Sequence, residues 1–220
     1  MNKGIRLDHL INQQNLVARR VRIVGYKKVV KHIAGIDVSA KNNMLFCCIA
    51  LFNFPELKDK EFAYAYKNGV FPYIPNFLAF RELPVILKAY KNLTIEPDLI
   101  LVDGQGIAHP RYCGVATHLG VILNKPTIGC AKSHLFGEFT MPGKNRGDFS
   151  PIKRHNKKIG IVLRTKDNVK PLFVSPGNLV NLKDCRKYVL ATTLGYRIPE
   201  PIRQAHIRAN KYALGKVLKL

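Results

Sequence analysis

The chain has 220 residues, and its 36 lysines and arginines outnumber its 14 aspartates and glutamates, so the formal net charge at pH 7 is +22. Hydrophobic residues make up 47% of the chain, which is a globular composition and excludes a disordered or low-complexity protein. A positive excess of this size favours a polyanionic partner, nucleic acid first and an anionic membrane surface second.

The cysteines and the apolar runs narrow the class further. The five cysteines have no C-x-x-C spacing and lie in apolar or mixed surroundings, so we expect reduced thiols, no zinc site and a cytoplasmic protein. The N-terminal segment lacks the apolar stretch of a secretory signal, and no apolar run approaches membrane-spanning length. Neither a linker nor a repeat interrupts the chain, and we expect one α/β domain over residues 1–220 that acts as a monomer.

The first predicted elements are a helix and three strands. The N-terminal segment has the spacing of an amphipathic helix, with four apolar residues on one face: Leu7, Leu10, Ile11 and Leu16. The three segments that follow are apolar or alternating, which predicts an antiparallel meander of strands over 33–38, 44–54 and 61–69.

A proline-framed segment leads to the next predicted helix. Pro72 and Pro75 make this segment stiff and non-helical. The helix is predicted to begin near Asn76, which can cap it, and to run to about Asn92, with Pro84 as a break or a second start.

The second half of the chain predicts a parallel β-α-β unit, followed by further strands and helices. Apolar runs predict a strand that ends at Asp103, a helix over 111–124 and a strand over 126–131. The basic, Gly- and Pro-rich segment 139–158 is predicted to be a surface loop or a basic arm. The remaining patterns predict a strand pair and two helices, with Asn178 as a helix cap: 159–165, 171–175, 178–195 and 201–216.

Three of the acidic residues lie in apolar surroundings: Asp37, Glu82 and Asp103. Burying a carboxylate is costly unless it is paired or bound to a metal. Asp37 and Asp103 lie on or just after strands, and neighbouring strands are ~4.8 Å apart, so their carboxylates can meet at one sheet edge. For either aspartate alone, a helix cap or an ion pair with a lysine is an equally good interpretation.

The set of three carboxylates favours a metal site. Oxygen ligands without a Cys or His cluster indicate Mg²⁺ or Mn²⁺ rather than zinc. An acidic metal site in a very basic chain fits phosphodiester hydrolysis, in which the basic surface holds the backbone and the carboxylates hold ions that activate water.

Six motifs, in order and at suitable spacing, resemble those of endonuclease V: GIDVS, PYIPNFLAFRELP, PDLILVDGQGIAHPRYCGVATHLGV, PTIGCAKS, VSPGN and RIPEPIRQAH. The match extends from residue 33 to about residue 209. The resemblance implies a ribonuclease-H-like α/β fold, with a mixed sheet flanked by helices. It also implies Mg²⁺-dependent cleavage, with Mn²⁺ able to substitute, of the second phosphodiester bond 3′ to a deaminated base, leaving 3′-hydroxyl and 5′-phosphate ends.

The implied substrate is DNA that contains deoxyinosine, in a repair role. Animal members of the family prefer inosine in RNA, whereas bacterial and archaeal members act chiefly on DNA, so an RNA-directed version of the activity stays open as an alternative. A non-catalytic basic protein that binds nucleic acid is the alternative from a different class, and the net charge supports it.

The resemblance also implies two groups of site residues. The carboxylates of Asp37, Glu82 and Asp103 match metal ligands. Lys132 matches a lysine that neutralises phosphate charge or orients the attacking water, and His206 matches a histidine near the metal and the scissile phosphate.

The second group matches residues that contact DNA or the lesion. Tyr73 matches a wedge residue that fills the space left by an extruded base, and His109 and Arg111 match phosphate contacts. The other members of the group are Pro72, Ile74, Pro75, Leu78, Gly104 and Gly106. Two residues depart from the family, because Asn76 stands where glycine is usual and Asn178 stands where many members have histidine.

Overall fold

The structure is a computed structural model that describes residues 7–68 and 71–217. In these residues, eight strands and five helices alternate along the chain. The strands are β1 (His32–Lys41), β2 (Met44–Asn53), β3 (Asp59–Asn68), β4 (Leu99–Val102), β5 (Thr127–Ala131), β6 (Phe149–Arg154), β7 (Lys157–Leu163) and β8 (Leu172–Asn178). The helices are α1 (Leu7–Arg19), α2 (Leu78–Tyr90), α3 (Val115–Leu123), α4 (Leu182–Ala191) and α5 (Glu200–Val217).

All eight strands belong to one mixed sheet in the order β3-β2-β1-β4-β5-β8-β7-β6. The predicted antiparallel meander is confirmed for β1, β2 and β3. The predicted β-α-β unit is also confirmed, since β4 pairs in parallel with both β1 and β5. The carboxyl ends of these three central strands therefore lie at the same edge of the sheet, which is where ligand sites gather in such sheets.

Helices cover both faces of the sheet, so the central strands are buried on both sides. One apolar cluster joins α4 and α5 to the sheet, and the other joins α2 and α3 to the opposite face. The strand β2 (MLFCCIALFN) is buried along nearly its whole length, as its unbroken apolar sequence predicts. The expected architecture of a mixed sheet flanked by helices is thus confirmed.

Helix α2 begins later than predicted and does not break at Pro84. It runs from Leu78 to Tyr90 with Pro84 inside it. Asn76 cannot cap it because its φ is +66°, in the left-handed region, and the preceding turn is closed by the N–H of Phe77, which donates to the carbonyl of Ile74 (3.0 Å).

The prediction that segment 139–158 is a loop is wrong in part. Phe149–Arg154 forms the edge strand β6, paired with β7. The pattern signal is weak because the strand contains Pro151, which an edge position tolerates, while Ile152 is buried in a satellite cluster of the core. Asn178 is also not a helix cap, since it ends β8, whereas the side chain of Asn181 caps α4.

The buried face of α1 differs from the prediction. Leu7 and Leu16 are exposed. Of the residues of α1, all of which the structure describes, Gln14 alone is buried. The helix is therefore held to the rest of the protein by a polar residue in addition to its partly buried apolar ones.

His118 makes the stability of the fold dependent on pH. Its ring is buried on α3 against Phe80 (5.4 Å between centroids), and Nδ1 has no hydrogen-bond partner among the described residues. Burial lowers the pKa of His118 to about 4, compared with ~6.5 in an unfolded chain. Between pH 7 and pH 4 the unfolded chain binds a proton that the folded chain does not, so stability falls as the pH is lowered through this window.

Replacing His118 with leucine is expected to remove part of this acid sensitivity. For the wild type, the His118 contribution to the loss of unfolding free energy between pH 7.5 and pH 5 is about 2 kcal/mol. His109, whose pKa burial also lowers to about 4, adds a similar loss that H118L retains. Urea unfolding at both pH values checks this, and an equal loss in H118L and wild type would show that His118 is not a source.

Candidate active site

Asp37 and Asp103 meet at the carboxyl edge of the central strands. Asp37 lies on β1, and Asp103 directly follows β4, with its N–H donating to the carbonyl of Ile36 (3.0 Å). Because Ile36 pairs with Val102 in the parallel register, the next residue of each strand reaches the same point of the edge. The expected juxtaposition of these two carboxylates is therefore present.

Helix α5 brings a histidine to the two carboxylates. His206 Nδ1 donates to Asp37 Oδ2 at 2.7 Å, and the side-chain amide of Asn210 lies 3.2 Å from His206 Nε2. Asp37, Asp103 and His206 each offer one ligand atom, and these three atoms lie within 4.8 Å of one another. Two carboxylate oxygens and an imidazole nitrogen suit a divalent cation, so these residues could hold one.

Glu82 adds a third carboxyl group beside Asp37 and Asp103. It lies on α2 and is partly buried. It does not belong to the set of Asp37, Asp103 and His206, whose ligand atoms lie within 4.8 Å of one another. Burial, together with the charges of Asp37 and Asp103, raises the pKa of Glu82 to about 8. Burial and the Asp103 carboxylate likewise raise the pKa of Asp37 to about 6. Three carboxyl groups that oppose each other's ionisation form a site that a cation would stabilise.

Lys132 supplies positive charge at the rim of the acidic cluster. It follows β5 directly, and its ammonium forms an ion pair with the carboxylate of Asp103. The guanidinium of Arg197 donates to the backbone carbonyls of Lys132 (2.7 Å) and Pro171 (2.8 Å). The sequence pattern assigned no role to Arg197, although it is the first residue of the motif RIPEPIRQAH, which also contains His206.

A cavity of about 320 Å³ opens beside Asp103 and Lys132. Its wall contains four of the predicted DNA-contacting residues: Tyr73, Leu78, Gly104 and His109. A Cβ added at Gly104 would meet only the side chain of Val115, at 3.6 Å. Gly104 therefore leaves the cavity open on this side.

Gly106, which was expected to contact DNA or the lesion, is instead packed against the backbone of β8. It is buried, and a Cβ there would lie 2.1 Å from the carbonyl oxygen of Pro176 in β8. The absence of a side chain is thus required by packing between backbone segments, as at a tight strand-to-helix turn.

The segment with the two prolines lies at the mouth of the cavity. Tyr73 is 67% exposed there, and its neighbours Pro72 and Pro75 are exposed while Ile74 is partly buried. We call residues 71–77 the wedge segment. His109 is buried and Arg111 is partly buried. Both side chains contact the carbonyl oxygen of Asn76, His109 through Nε2 (3.1 Å) and Arg111 through Nη2 (3.2 Å).

Known proteins similar to this chain are endonucleases V. The family model described as Endonuclease V matches residues 15–207. The endonuclease V of the bacterium Petrotoga mobilis is 44% identical over 198 residues, which cover 90% of each chain. That of Methanothrix thermoacetophila is 42% identical over 209 residues, 95% of this chain and 93% of the relative.

Solved structures give the same result. The endonuclease V of Streptomyces avermitilis superposes with a TM-score of 0.91 at 33% identity, over 99% of this chain and 96% of that one. The catalytic domain of human endonuclease V has a TM-score of 0.88 at 27% identity, over 96% and 97%. These proteins have a ribonuclease-H-like fold, and this chain shares it.

Similar structures also include complexes with nucleic acid. The endonuclease V of Ciona intestinalis was crystallised with a 24mer DNA containing an inosine followed by a ribo-adenosine. Its structure has a TM-score of 0.82 and 26% identity, over 96% of this chain and 99% of that one.

No helix within residues 7–68 and 71–217 is long and apolar enough to cross a membrane.

Proposed function

This chain belongs to the endonuclease V family, and we propose that it is a Mg²⁺-dependent endonuclease that cleaves DNA near a deaminated base, chiefly deoxyinosine. The observation that carries this proposal is the position of the cavity, which opens directly beside the cluster of Asp37, Asp103 and His206. A base held in the cavity would place its own backbone next to the cluster. The nucleic-acid charge would be balanced by the net charge of +22.

The carboxylates of Asp37 and Asp103 would hold the metal ion, with Glu82 beside them. When bound, Mg²⁺ supplies Lewis acidity and lowers the pKa of water, and Mn²⁺ can take its place because it prefers the same oxygen ligands. Lys132, at the rim, neutralises negative charge that develops on the phosphate. His206, oriented by its hydrogen bonds to Asp37 and Asn210, presents its ring to the same phosphate.

We propose that cleavage occurs at the second phosphodiester bond 3′ to the lesion and leaves 3′-hydroxyl and 5′-phosphate ends. An enzyme that reads a base must take it out of the stack, and the cavity beside Gly104 is the proposed place for that base. A nick near deoxyinosine marks the strand for replacement, so the proposed role is DNA repair. The proposed unit is a monomer formed by the single domain 1–220.

DNA is the proposed substrate in preference to RNA. The relatives from Petrotoga mobilis and Methanothrix thermoacetophila are 44% and 42% identical to this chain, compared with 27% for the human structure. Bacterial and archaeal members of the family are expected to act on DNA. The Ciona protein was crystallised with DNA containing inosine, which supports a pocket of this kind for hypoxanthine. RNA that contains inosine is the alternative substrate.

The test is cleavage of a labelled duplex with one deoxyinosine, compared with the same duplex carrying deoxyguanosine and with a matched inosine RNA. We expect a single nick that requires Mg²⁺, disappears with EDTA and is faster on DNA than on RNA. Equal or faster cleavage of the RNA would reverse the substrate preference. Binding to all three without a nick would favour the non-catalytic nucleic-acid-binding protein.

Replacing Tyr73 with alanine is expected to weaken lesion discrimination more than chemistry. Stacking of an aromatic ring on a base contributes ~1–3 kcal/mol, so the ratio of cleavage on deoxyinosine to undamaged duplex should fall about tenfold or more. Single-turnover cleavage of both duplexes measures this ratio. Phe149→Ala, which removes a half-exposed aromatic from the distant edge strand β6, is the control. Unchanged kinetics of Y73A on both duplexes would remove the wedge role.

A further inference from the structure

One carbonyl oxygen in the wedge segment has three side chains directed at it. The backbone oxygen of Asn76 lies 2.8 Å from Gln14 Nε2, 3.2 Å from Arg111 Nη2 and 3.1 Å from His109 Nε2. The three side chains come from α1 and from the turn between β4 and α3, which are distant from the wedge segment in the sequence. Such convergence fixes the position of a peptide group that would otherwise lie on a solvent-exposed turn.

Gln14 is central to this arrangement because both ends of its side chain are used. Its amide nitrogen donates to the carbonyl oxygens of Asn76 (2.8 Å) and Cys113 (3.4 Å), and its amide oxygen accepts from Arg111 Nε at 2.5 Å. The residue has no exposed surface. Burial of a glutamine without partners would be unfavourable, so these hydrogen bonds are needed to hold the glutamine there. Arg111 in turn lies 4.6 Å from the ring centroid of Phe77, at the end of the wedge segment.

The wedge segment is also held at its other end. Arg81 Nη1 donates to the carbonyl of Phe71 at 2.6 Å. Between these two attachments Tyr73 is 67% exposed. The segment is thus anchored at residues 71 and 76, and its aromatic tip is left free at the mouth of the cavity.

The conformation of Asn76 explains why an anchor is needed. Its φ of +66° is in the left-handed region, where glycine is favoured and any other residue carries a conformational cost. Asparagine tolerates this region better than most residues. The three donors stabilise the peptide that follows Asn76 in this orientation, in a chain that has asparagine where the family usually has glycine.

We infer that Gln14 is a positioning residue for the wedge segment, through which helix α1 sets where Tyr73 stands and thereby how strictly the enzyme selects a deaminated base. This inference rests on the proposed function for its consequence in catalysis. The positional part, that Gln14 holds residues 71–77, stands independently of any substrate. Among the described residues, the side chain of Gln14 hydrogen-bonds to Asn76, Cys113 and Arg111 and to none of the three carboxylates.

The test compares three variants. Gln14→Met keeps the length of the side chain and removes the hydrogen bonds to Asn76, Cys113 and Arg111. Gln14→Glu keeps an acceptor for Arg111 and removes the donor to Asn76. Gln13→Met is the matched control on the same helix, since Gln13 is only partly buried and its hydrogen bond among the described residues is to exposed His9 (2.8 Å). Thermal unfolding of each variant shows whether it remains folded.

Two readouts separate positioning from general stability. Hydrogen–deuterium exchange of the amides of residues 71–77, without DNA or metal, should become about tenfold faster in Q14M and less so in Q14E, and stay unchanged in Q13M. Single-turnover cleavage should show a fall of about tenfold in the ratio of deoxyinosine to undamaged duplex for Q14M, with the saturating rate on deoxyinosine within about threefold of wild type.

Exchange that is unchanged at residues 71–77 in folded Q14M, or that rises equally throughout the protein, would overturn the inference. Faster local exchange with unchanged discrimination would overturn its catalytic part. A wild-type protein that does not cleave the deoxyinosine duplex would overturn the proposed function, and the exchange experiment would still decide the position of the wedge segment.

Discussion

Replacing Asp103 with asparagine is expected to reduce Mg²⁺-dependent cleavage of a deoxyinosine duplex on the order of 10³-fold or more, and the same holds for Asp37. Asparagine has the shape of aspartate but lacks the charge that a divalent cation requires. The metal supplies several kcal/mol of stabilisation to the reaction, and each ~1.4 kcal/mol is a factor of ten in rate. Binding of the duplex should be largely retained, because the basic surface is unchanged. Single-turnover cleavage and filter binding with one labelled duplex measure both quantities.

The same variants should differ from wild type in a second way that does not depend on activity. In the absence of metal, the carboxylates of Asp37, Glu82 and Asp103 repel each other, as the raised pKa values of Asp37 and Glu82 indicate. Removing one charge should raise the unfolding temperature of the metal-free protein. Mg²⁺ should stabilise the wild type by mass action and stabilise D103N much less.

Asp59→Asn is the control for these experiments, since Asp59 is an exposed acid at the start of β3. It should behave as wild type in cleavage and in its response to Mg²⁺. If D37N and D103N retained Mg²⁺-dependent nicking at a wild-type rate, the cluster would not be the metal site. If they lost binding together with cleavage, its role would be in holding DNA.

Replacing Gly35 with alanine is expected to damage the fold and the site together. A Cβ at Gly35 would lie 2.1 Å from the carbonyl carbon of Pro201 and 2.3 Å from the nitrogen of Ile202, both backbone atoms at the start of α5. The helix must therefore move away from β1. Overpacking of this kind costs ~1–3 kcal/mol, occasionally more, and because α5 carries His206, the ring would leave Asp37.

A displacement of ~1 Å at a reacting centre can cost about 100-fold in rate, so G35A should lose cleavage on this scale in addition to stability. Gly215→Ala is the matched control, because Gly215 lies on α5 itself and a Cβ there would meet nothing within 4 Å. It should leave cleavage unchanged and stabilise the protein by about 0.5 kcal/mol. Thermal unfolding and single-turnover cleavage test both variants. Wild-type stability and rate in G35A would show that the close approach of α5 to β1 is not required.

The central strands and the meeting of Asp37 with Asp103 were predictable from sequence, because continuous apolar runs identify buried strands and parallel neighbours end at the same edge. His206 was not predictable from such patterns. It reaches Asp37 from 169 residues away on a helix whose sequence resembles any amphipathic one, and only the resemblance to the family indicated it.

The wrong predictions have physical causes as well. The periodicity of α1 favours its leucines as the buried face, yet Gln14 is the buried residue, because its partners Asn76 and Arg111 are 62 and 97 residues away. A polar residue can be buried when residues distant in the sequence form hydrogen bonds with it. The local sequence pattern does not indicate which residues these are. The edge strand β6 was missed because only two of its residues, Ser150 and Ile152, are buried and the strand lies within a basic segment that contains proline.

The central claim is that Asp37 and Asp103 share one divalent ion beside the cavity. Crystals grown with Mn²⁺ and measured near the manganese absorption edge test it directly. The account predicts an anomalous peak within ~2–2.5 Å of a carboxylate oxygen of both aspartates. A peak that contacts neither residue, or no peak at a saturating concentration of Mn²⁺, would contradict it.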